Sequence, residues 1–317
     1  MMLTHSEALG LLSEIDNILI LTHRNPDGDA VGSMFALYNV LKEMGKNVRC
    51  EIDTVSPALS IPVVKEAFCD FQEDYVVTVD VADKKLLPEE HLAKYGDRVF
   101  LAIDHHEMNR PFSEKLLLDF RASAACEVIF DMLTLCGKEI SAPTANALYL
   151  GIATDTGCFR YPNCTAHTFS CAAALVERGA DNSEINRIVF ETKTKEYVHF
   201  ESLAMNSMKT YFDGKCAVIV ITQDMYRKTG ATEADTHGVA ALPRQIEGVL
   251  AGVVIKEKTD GTYKISMRTN EPVSAAEICS VLGGGGHRLA AGCDLSGSTA
   301  EVVNTVLKVV KEAIDAI

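Results

Sequence analysis

The feature that most constrains this chain is a rhythm in its first half, where short apolar runs alternate with helical stripes. Residues 17–22 (NILILT), 48–52, 75–79 and 99–103 have strand length, and each is followed at once by an acid or a histidine. After the first run, Val31, Met34, Phe35, Tyr38, Leu41 and Met44 recur at helical spacing up to Gly45, the residue type that commonly closes a helix. Further helices are expected over 124–136 and from 143 to about 190. Strands alternating with helices of this length predict an α/β fold, a doubly wound and mainly parallel sheet. The second half reads differently. A helical segment at 194–210 precedes a strand at 216–221, a hairpin of 249–256 with 263–268 around Asp260-Gly261, a helix at 273–282, a glycine run and an amphipathic helix reaching Ile317. The expected organisation is therefore a first domain over 1–190, a helical connector over 191–213, and a smaller mixed α/β domain over 214–317.

Composition supports a folded two-domain chain. Its 317 residues are 47% hydrophobic and 23% charged, enough to bury a substantial core. No apolar run approaches the roughly 20 residues of a membrane-spanning helix, and the first residues lack a basic-then-apolar leader, so a cytoplasmic location is expected, with no membrane partner. Thirty basic against 44 acidic residues give a formal charge of −14, the wrong sign for gripping long duplex nucleic acid. A short phosphorylated substrate met by metals and a few cations is compatible with that charge. The ten cysteines are scattered without a CxxC pair and read as free, mostly buried thiols. Cys158 stands close to one of the motifs below, with no mechanism to assign to it.

The chemistry concentrates where the apolar runs end. The first is followed by Thr22-His23-Arg24-Asn25-Pro26-Asp27-Gly28-Asp29, one imidazole and two carboxylates in a bent loop before a helix. The run at 75–79 ends in Asp80 and that at 99–103 in Asp104-His105-His106. A fourth group, Thr154-Asp155-Thr156-Gly157, follows the apolar stretch 147–153. Each alone has an ordinary reading as a helix cap, turn or polar loop. Their coincidence carries the inference, because parallel strands align their carboxyl ends and open α/β sheets bind ligands there. His23, Asp27, Asp29, Asp80, His105 and Asp155 supply six oxygen or nitrogen ligands, more than one ion needs while keeping a position open. Two divalent metal ions follow, and the imidazole content favours manganese, iron or zinc over magnesium. Two ions about 3.5–4 Å apart suit hydrolysis of a phosphate ester or anhydride. In the second domain, Gly283-Gly284-Gly285-Gly286-His287 leaves backbone N–H groups free to face an anion, and Arg268 offers a planar donor fork for a phosphate.

Taken in order, HRNPDGD, Val79-Asp80, DHH at 104–106, TDTG at 154–157 and GGGGHRLAAG resemble the DHH phosphoesterase family with its DHH-associated C-terminal domain, over nearly the whole chain. Within that family the chain looks most like the bacterial oligoribonucleases that also dephosphorylate adenosine 3′,5′-bisphosphate (pAp). The resemblance implies a DHH catalytic, metal-binding first domain, a DHH-associated substrate-binding second domain, and a manganese site in the cleft between them. It implies His23 and Asp27 on one ion, Asp29, His105 and Asp155 on the other, and Asp80 bridging. His106 would contact the scissile phosphate or assist proton transfer, with Asp80 also counted as catalytic. Arg268, Gly284, Gly285, Gly286 and His287 would bind phosphate and nucleotide. Arg160 matches a common family position. Short oligonucleotides or phosphorylated nucleotides are the implied partners, and a homodimer is compatible with the reading. The competing expectations are a cyclic di-AMP or linear dinucleotide phosphodiesterase and, from a different class, a catalytically silent nucleotide-binding module.

Overall fold

The computed structural model describes residues 1–232 and 234–317, with 234–237 described by their backbone alone. The chain divides into two compact units, Met1–Thr192 and Lys193–Ile317.

The first unit begins α1 (His5–Glu14), β1 (Ile18–Leu21), α2 (Gly28–Glu43), β2 (Val48–Glu51), β3 (Tyr75–Val79), α3 (Glu89–Tyr95), β4 (Val99–Asp104) and β5 (Lys115–Leu118). It continues α4 (Ala125–Leu135), α5 (Ala142–Asp155), α6 (Ala166–Glu177) and α7 (Asn182–Asn186), which runs into a π-helical turn at Arg187–Glu191. All five strands pair in parallel in the order β2-β1-β3-β4-β5. The alternation of β1 explains why helices cover both faces. Ile18 and Ile20 join the large core built with α1, α2, α4 and α5, while Leu19 and Leu21 pack with Val76, Val99 and Tyr95 of α3 on the opposite face. This is the doubly wound α/β sheet that the sequence predicts. The edge strand β5 was not predicted, since KLLL is too short to show any periodicity.

The second unit contains α8 (Lys195–Asn206), β6 (Lys209–Tyr211), β7 (Cys216–Ile221), α9 (Gln223–Thr229), β8 (Ala251–Glu257), β9 (Tyr263–Thr269), α10 (Ala275–Val281), β10 (Gly285–His287), β11 (Ala290–Leu295) and α11 (Thr299–Asp315). Its six strands run β10-β11-β9-β8-β7-β6, antiparallel except for β7 with β8. Val302, Val306, Val310 and Ile314 of α11, spaced at every fourth residue, are buried with Val218, Val253 and Ile265 of the sheet. On the other side, Phe200 and Ala204 of α8 pack with Ile219, Ile221 and Val254. The helix at the heart of the expected connector is thus part of this unit's core.

Part of the glycine run is paired backbone. Gly285–His287 form the edge strand β10, paired antiparallel with β11. A Cβ at Gly284 would lie 2.2 Å from the carbonyl oxygen of Gly292, so close backbone approach demands glycine at that position. Among the described residues no helix is long and apolar enough to cross a membrane.

Candidate metal centre

The topology sets the place. Strand order reverses between β1 and β3, and registers such as Leu21↔Thr78 and Val79↔Ile103 hold the carboxyl ends of β1, β3 and β4 level. Ligands of open α/β sheets bind outside those ends at such a switch point. The loop beyond β1 is tied there by Thr22 Oγ1, which donates to the Val79 carbonyl at 3.0 Å, and by the Arg24 N–H, which donates to Leu86 at 2.8 Å. Asp80 follows β3 with φ +56°, a left-handed conformation uncommon outside glycine, while its N–H donates to the Ile103 carbonyl at 3.0 Å. Such backbone strain persists only where the surroundings overdetermine it.

Two sets of donors converge on this rim. His23 Nε2 lies 3.9 Å from Asp27 Oδ1 and 3.5 Å from Asp80 Oδ2. His105 Nε2 lies 3.8 Å from Asp29 Oδ2, 3.5 Å from Asp155 Oδ2 and 3.6 Å from Asp80 Oδ1. The ligand atoms of His23, Asp27 and Asp80 fall within 4.8 Å of one another, as do those of Asp29, His105 and Asp155. Asp80 therefore turns Oδ2 to His23, and Oδ1 both to His105 and, at 3.6 Å, to His106 Nδ1. All six metal-ligand candidates from the sequence are brought together.

How α2 and α5 deliver Asp29 and Asp155 depends on residues the sequence did not single out. Asp27 caps α2, accepting the N–H groups of Asp29 and Ala30 at 3.0 Å each. The buried Asp29 carboxylate accepts the first N–H groups of α4, from Ala125 at 2.6 Å and Cys126 at 2.9 Å. A helix N-terminus thus orients it and favours its charge. The helices approach through glycines. A Cβ at Gly28 would lie 2.3 Å from Thr154 Oγ1, one at Gly32 2.4 Å from the Ala147 carbonyl, and one at Gly151 2.2 Å from Cys126 Sγ. Their spacing along two helices is the only sequence signal, and it needs the helix pairing to be read. At the end of α5 the guanidinium of Arg160 donates through Nε to the Gly157 carbonyl at 2.5 Å.

Electrostatics point to a cation. Burial, followed by the charge of Asp80, raises Asp29 to about 7. Burial, followed by Asp29 and Asp80, raises Asp155 to about 9. Burial opposes protonation of His23, but the hydrogen bond it donates to Asp80 and the charge of that carboxylate prevail and raise it to about 9. Asp80 Oδ1 is buried with no hydrogen-bond partner. Crowded carboxylates and an orphaned oxygen are what divalent cations satisfy, so the residues fit a metal centre. The donors are oxygen and nitrogen, which suits manganese, iron or zinc.

The first residue of the DHH sequence has a different part. Fully buried Asp104 accepts from His106 Nδ1 at 2.8 Å and also from the Asn109 amide. That hydrogen bond is the largest influence raising His106 to about 9, while Asp104 is lowered despite its burial. His106 is therefore oriented through Nδ1, which leaves Nε2 for other partners. In the second unit, Arg268 and His287 are each paired opposite Ala290, one from β9 and one from β10. Directly opposite residues share a face, so the two side chains stand on the same side of the sheet about 9–10 Å apart.

Comparison with known proteins identifies the family. Residues 17–152 match the DHH family, N-terminal domain, and residues 213–316 match the DHHA1 domain. The chain is 31% identical over 302 residues to a Thermus thermophilus protein named bifunctional oligoribonuclease and PAP phosphatase NrnA, covering 93% of this chain and 89% of that one. A Bacillus subtilis protein of the same name is 28% identical, with 92% and 93% covered. An exopolyphosphatase-related protein from Bacteroides fragilis shares the fold, with a TM-score of 0.86, 24% identity and 97% and 96% coverage. This chain belongs to the DHH family and is a phosphoesterase, a hydrolase of phosphate esters.

Proposed function

We propose that this protein hydrolyses short RNA oligonucleotides to mononucleotides and pAp to AMP, using two manganese ions and an activated water. The observation that carries the reading is Asp80, whose Oδ2 faces His23 of one donor set at 3.5 Å and whose Oδ1 faces His105 of the other at 3.6 Å. One carboxylate placed between two donor sets suits a bridge between two ions. His23 and Asp27 would complete one set, and Asp29, His105 and Asp155 the other. Bound there, the ions supply Lewis-acid stabilisation of charge on phosphate and a water acidic enough to attack at neutral pH. His106, held through Nδ1 by Asp104 at 2.8 Å, is oriented to donate from Nε2 to a phosphate oxygen or the leaving oxygen. Arg268, Gly284, Gly285, Gly286 and His287 are assigned to phosphate and nucleotide binding, with Arg268 and His287 on one sheet face. The substrate class rests on the activity for which relatives aligned over some nine-tenths of the chain are named.

The test is a chromatographic product assay with manganese on a short RNA, pAp, cyclic di-AMP and pyrophosphate in separate reactions, with Asp80→Ala as control. Mononucleotides from RNA and AMP from pAp, both lost in the variant, are expected. Turnover of cyclic di-AMP alone would reassign the substrate, and no turnover of any substrate would leave a silent binding module.

A further inference from the structure

Apart from the rim of the sheet, three side chains of different chemistry converge between α4 and α6. His167 and Cys171 stand one turn apart on α6, and Asp131 reaches them from α4. Asp131 Oδ1 and Oδ2 lie 2.9 and 3.0 Å from His167 Nε2, and Cys171 Sγ lies 3.4 Å from the same nitrogen. All three donors fall within 4.8 Å of one another.

Which nitrogen they face decides between two readings. A thiol–imidazole–carboxylate relay places the thiol at one ring nitrogen and the carboxylate at the other, so that a proton can be taken up at one end and the ring held at the other. Here both address Nε2, as ligands around a common point do. Tetrahedral zinc, with Zn–N and Zn–O about 2.0 Å and Zn–S about 2.3 Å, requires N···O and N···S separations of about 3.3 and 3.5 Å. The observed distances reach these with shifts of a few tenths of an ångström.

The site is also braced. One turn before Asp131, buried Glu127 accepts the Thr168 hydroxyl at 2.9 Å and that of Ser123, which fixes α6 against α4 beside His167. Cys171 is fully buried whereas the His167 side chain is 54% exposed, so the sulfur side is closed and the imidazole side open.

We propose that Asp131, His167 and Cys171 form a third metal site, taking a borderline-soft divalent ion of the zinc type and distinct from the six-residue centre. Binding breaks the Cys171 S–H bond, releases that proton to solvent and forms a sulfur–metal bond. Three protein donors leave a fourth position for water.

Cobalt(II) is the probe, because only a thiolate ligand gives a near-ultraviolet sulfur-to-cobalt charge-transfer band and none of the six residues of the other centre is a cysteine. Titrating the full chain should give one thiolate-ligated cobalt, displaced by excess zinc, both in the native protein and in Asp80→Ala. Cys171→Ala should lose the band, and His167→Gln, altered at a half-exposed position that leaves the core intact, should weaken cobalt binding at least tenfold. No band in the native protein, a band surviving Cys171→Ala, or unchanged affinity in His167→Gln would overturn the proposal.

Discussion

Gly151→Ala is a one-methyl perturbation that should damage the metal centre from behind. The added Cβ would stand 2.2 Å from Cys126 Sγ and 2.6 Å from Asp29 Oδ1, against about 3.4 Å for an ordinary contact. Neither neighbour can retreat easily. Cys126 is buried, and Asp29 is pinned by the N–H groups of Ala125 and Cys126. Relieving the clash means moving the carboxylate, or the α5 backbone that carries Asp155, by about 0.8 Å, several times the ~0.2 Å within which metal–ligand distances hold. Overpacking of a tight core costs about 1–3 kcal/mol. For a unit of this size that lowers the melting temperature by roughly 3–10 °C. Gly10 is the control: it lies within α1 with nothing within 4 Å of a Cβ, so Gly10→Ala should stabilise by about 0.5–1 kcal/mol. Thermal unfolding with and without manganese reads both effects, and Gly151→Ala should lose melting temperature and most of the metal-induced rise. If Gly151→Ala matched the native protein in both, the argument that these glycines set the ligand geometry would be wrong.

Two further predictions concern charge. Without bound ions, folded Asp29 and Asp155 keep protons up to about 7 and about 9, whereas an unfolded carboxyl releases its proton near 4. The folded state then binds more protons than the unfolded one, so metal-free stability falls as pH rises through that window. His23, raised to about 9, acts in the same direction. The manganese-induced rise in melting temperature should therefore be larger at about pH 8.5 than at about pH 6, and equal increments would contradict the assignment. Asp104→Asn keeps an acceptor for His106 but removes the charge that raises it. The expected result is a kcat lower by about ten- to a hundredfold, KM less affected, and a basic limb of the kcat profile displaced to lower pH. An unmoved limb would remove His106 from the role of proton donor.

The strands carrying the centre are legible because each is a short, uninterrupted apolar run buried on both faces, and a parallel sheet aligns their ends without further information. The grouping of His23, Asp80 and His105 follows from that alone. Other features depend on contacts between segments distant in sequence. Asp104 looks like one more strand-end acid, and its part as the partner of His106 emerges only from the turn that folds His106 back onto it. Gly28, Gly32 and Gly151 are unremarkable helical glycines until α2 and α5 are seen to cross at them. The glycine run carries no period from which a strand could be read, yet the pairing of Gly285–His287 with β11 makes that part an edge strand. The 194–210 segment looked like a spacer between domains, but Phe200 and Ala204 bury themselves in the second unit.

The central claim is that Asp80 joins two ion sites into one centre. Electron paramagnetic resonance during manganese titration of the full chain tests it most directly. Two ions per chain should appear with the exchange-coupled, multiline spectrum of a carboxylate-bridged pair, and that coupling should vanish in Asp80→Ala. A single ion per chain, or the six-line spectrum of isolated manganese at every ratio, would contradict the account.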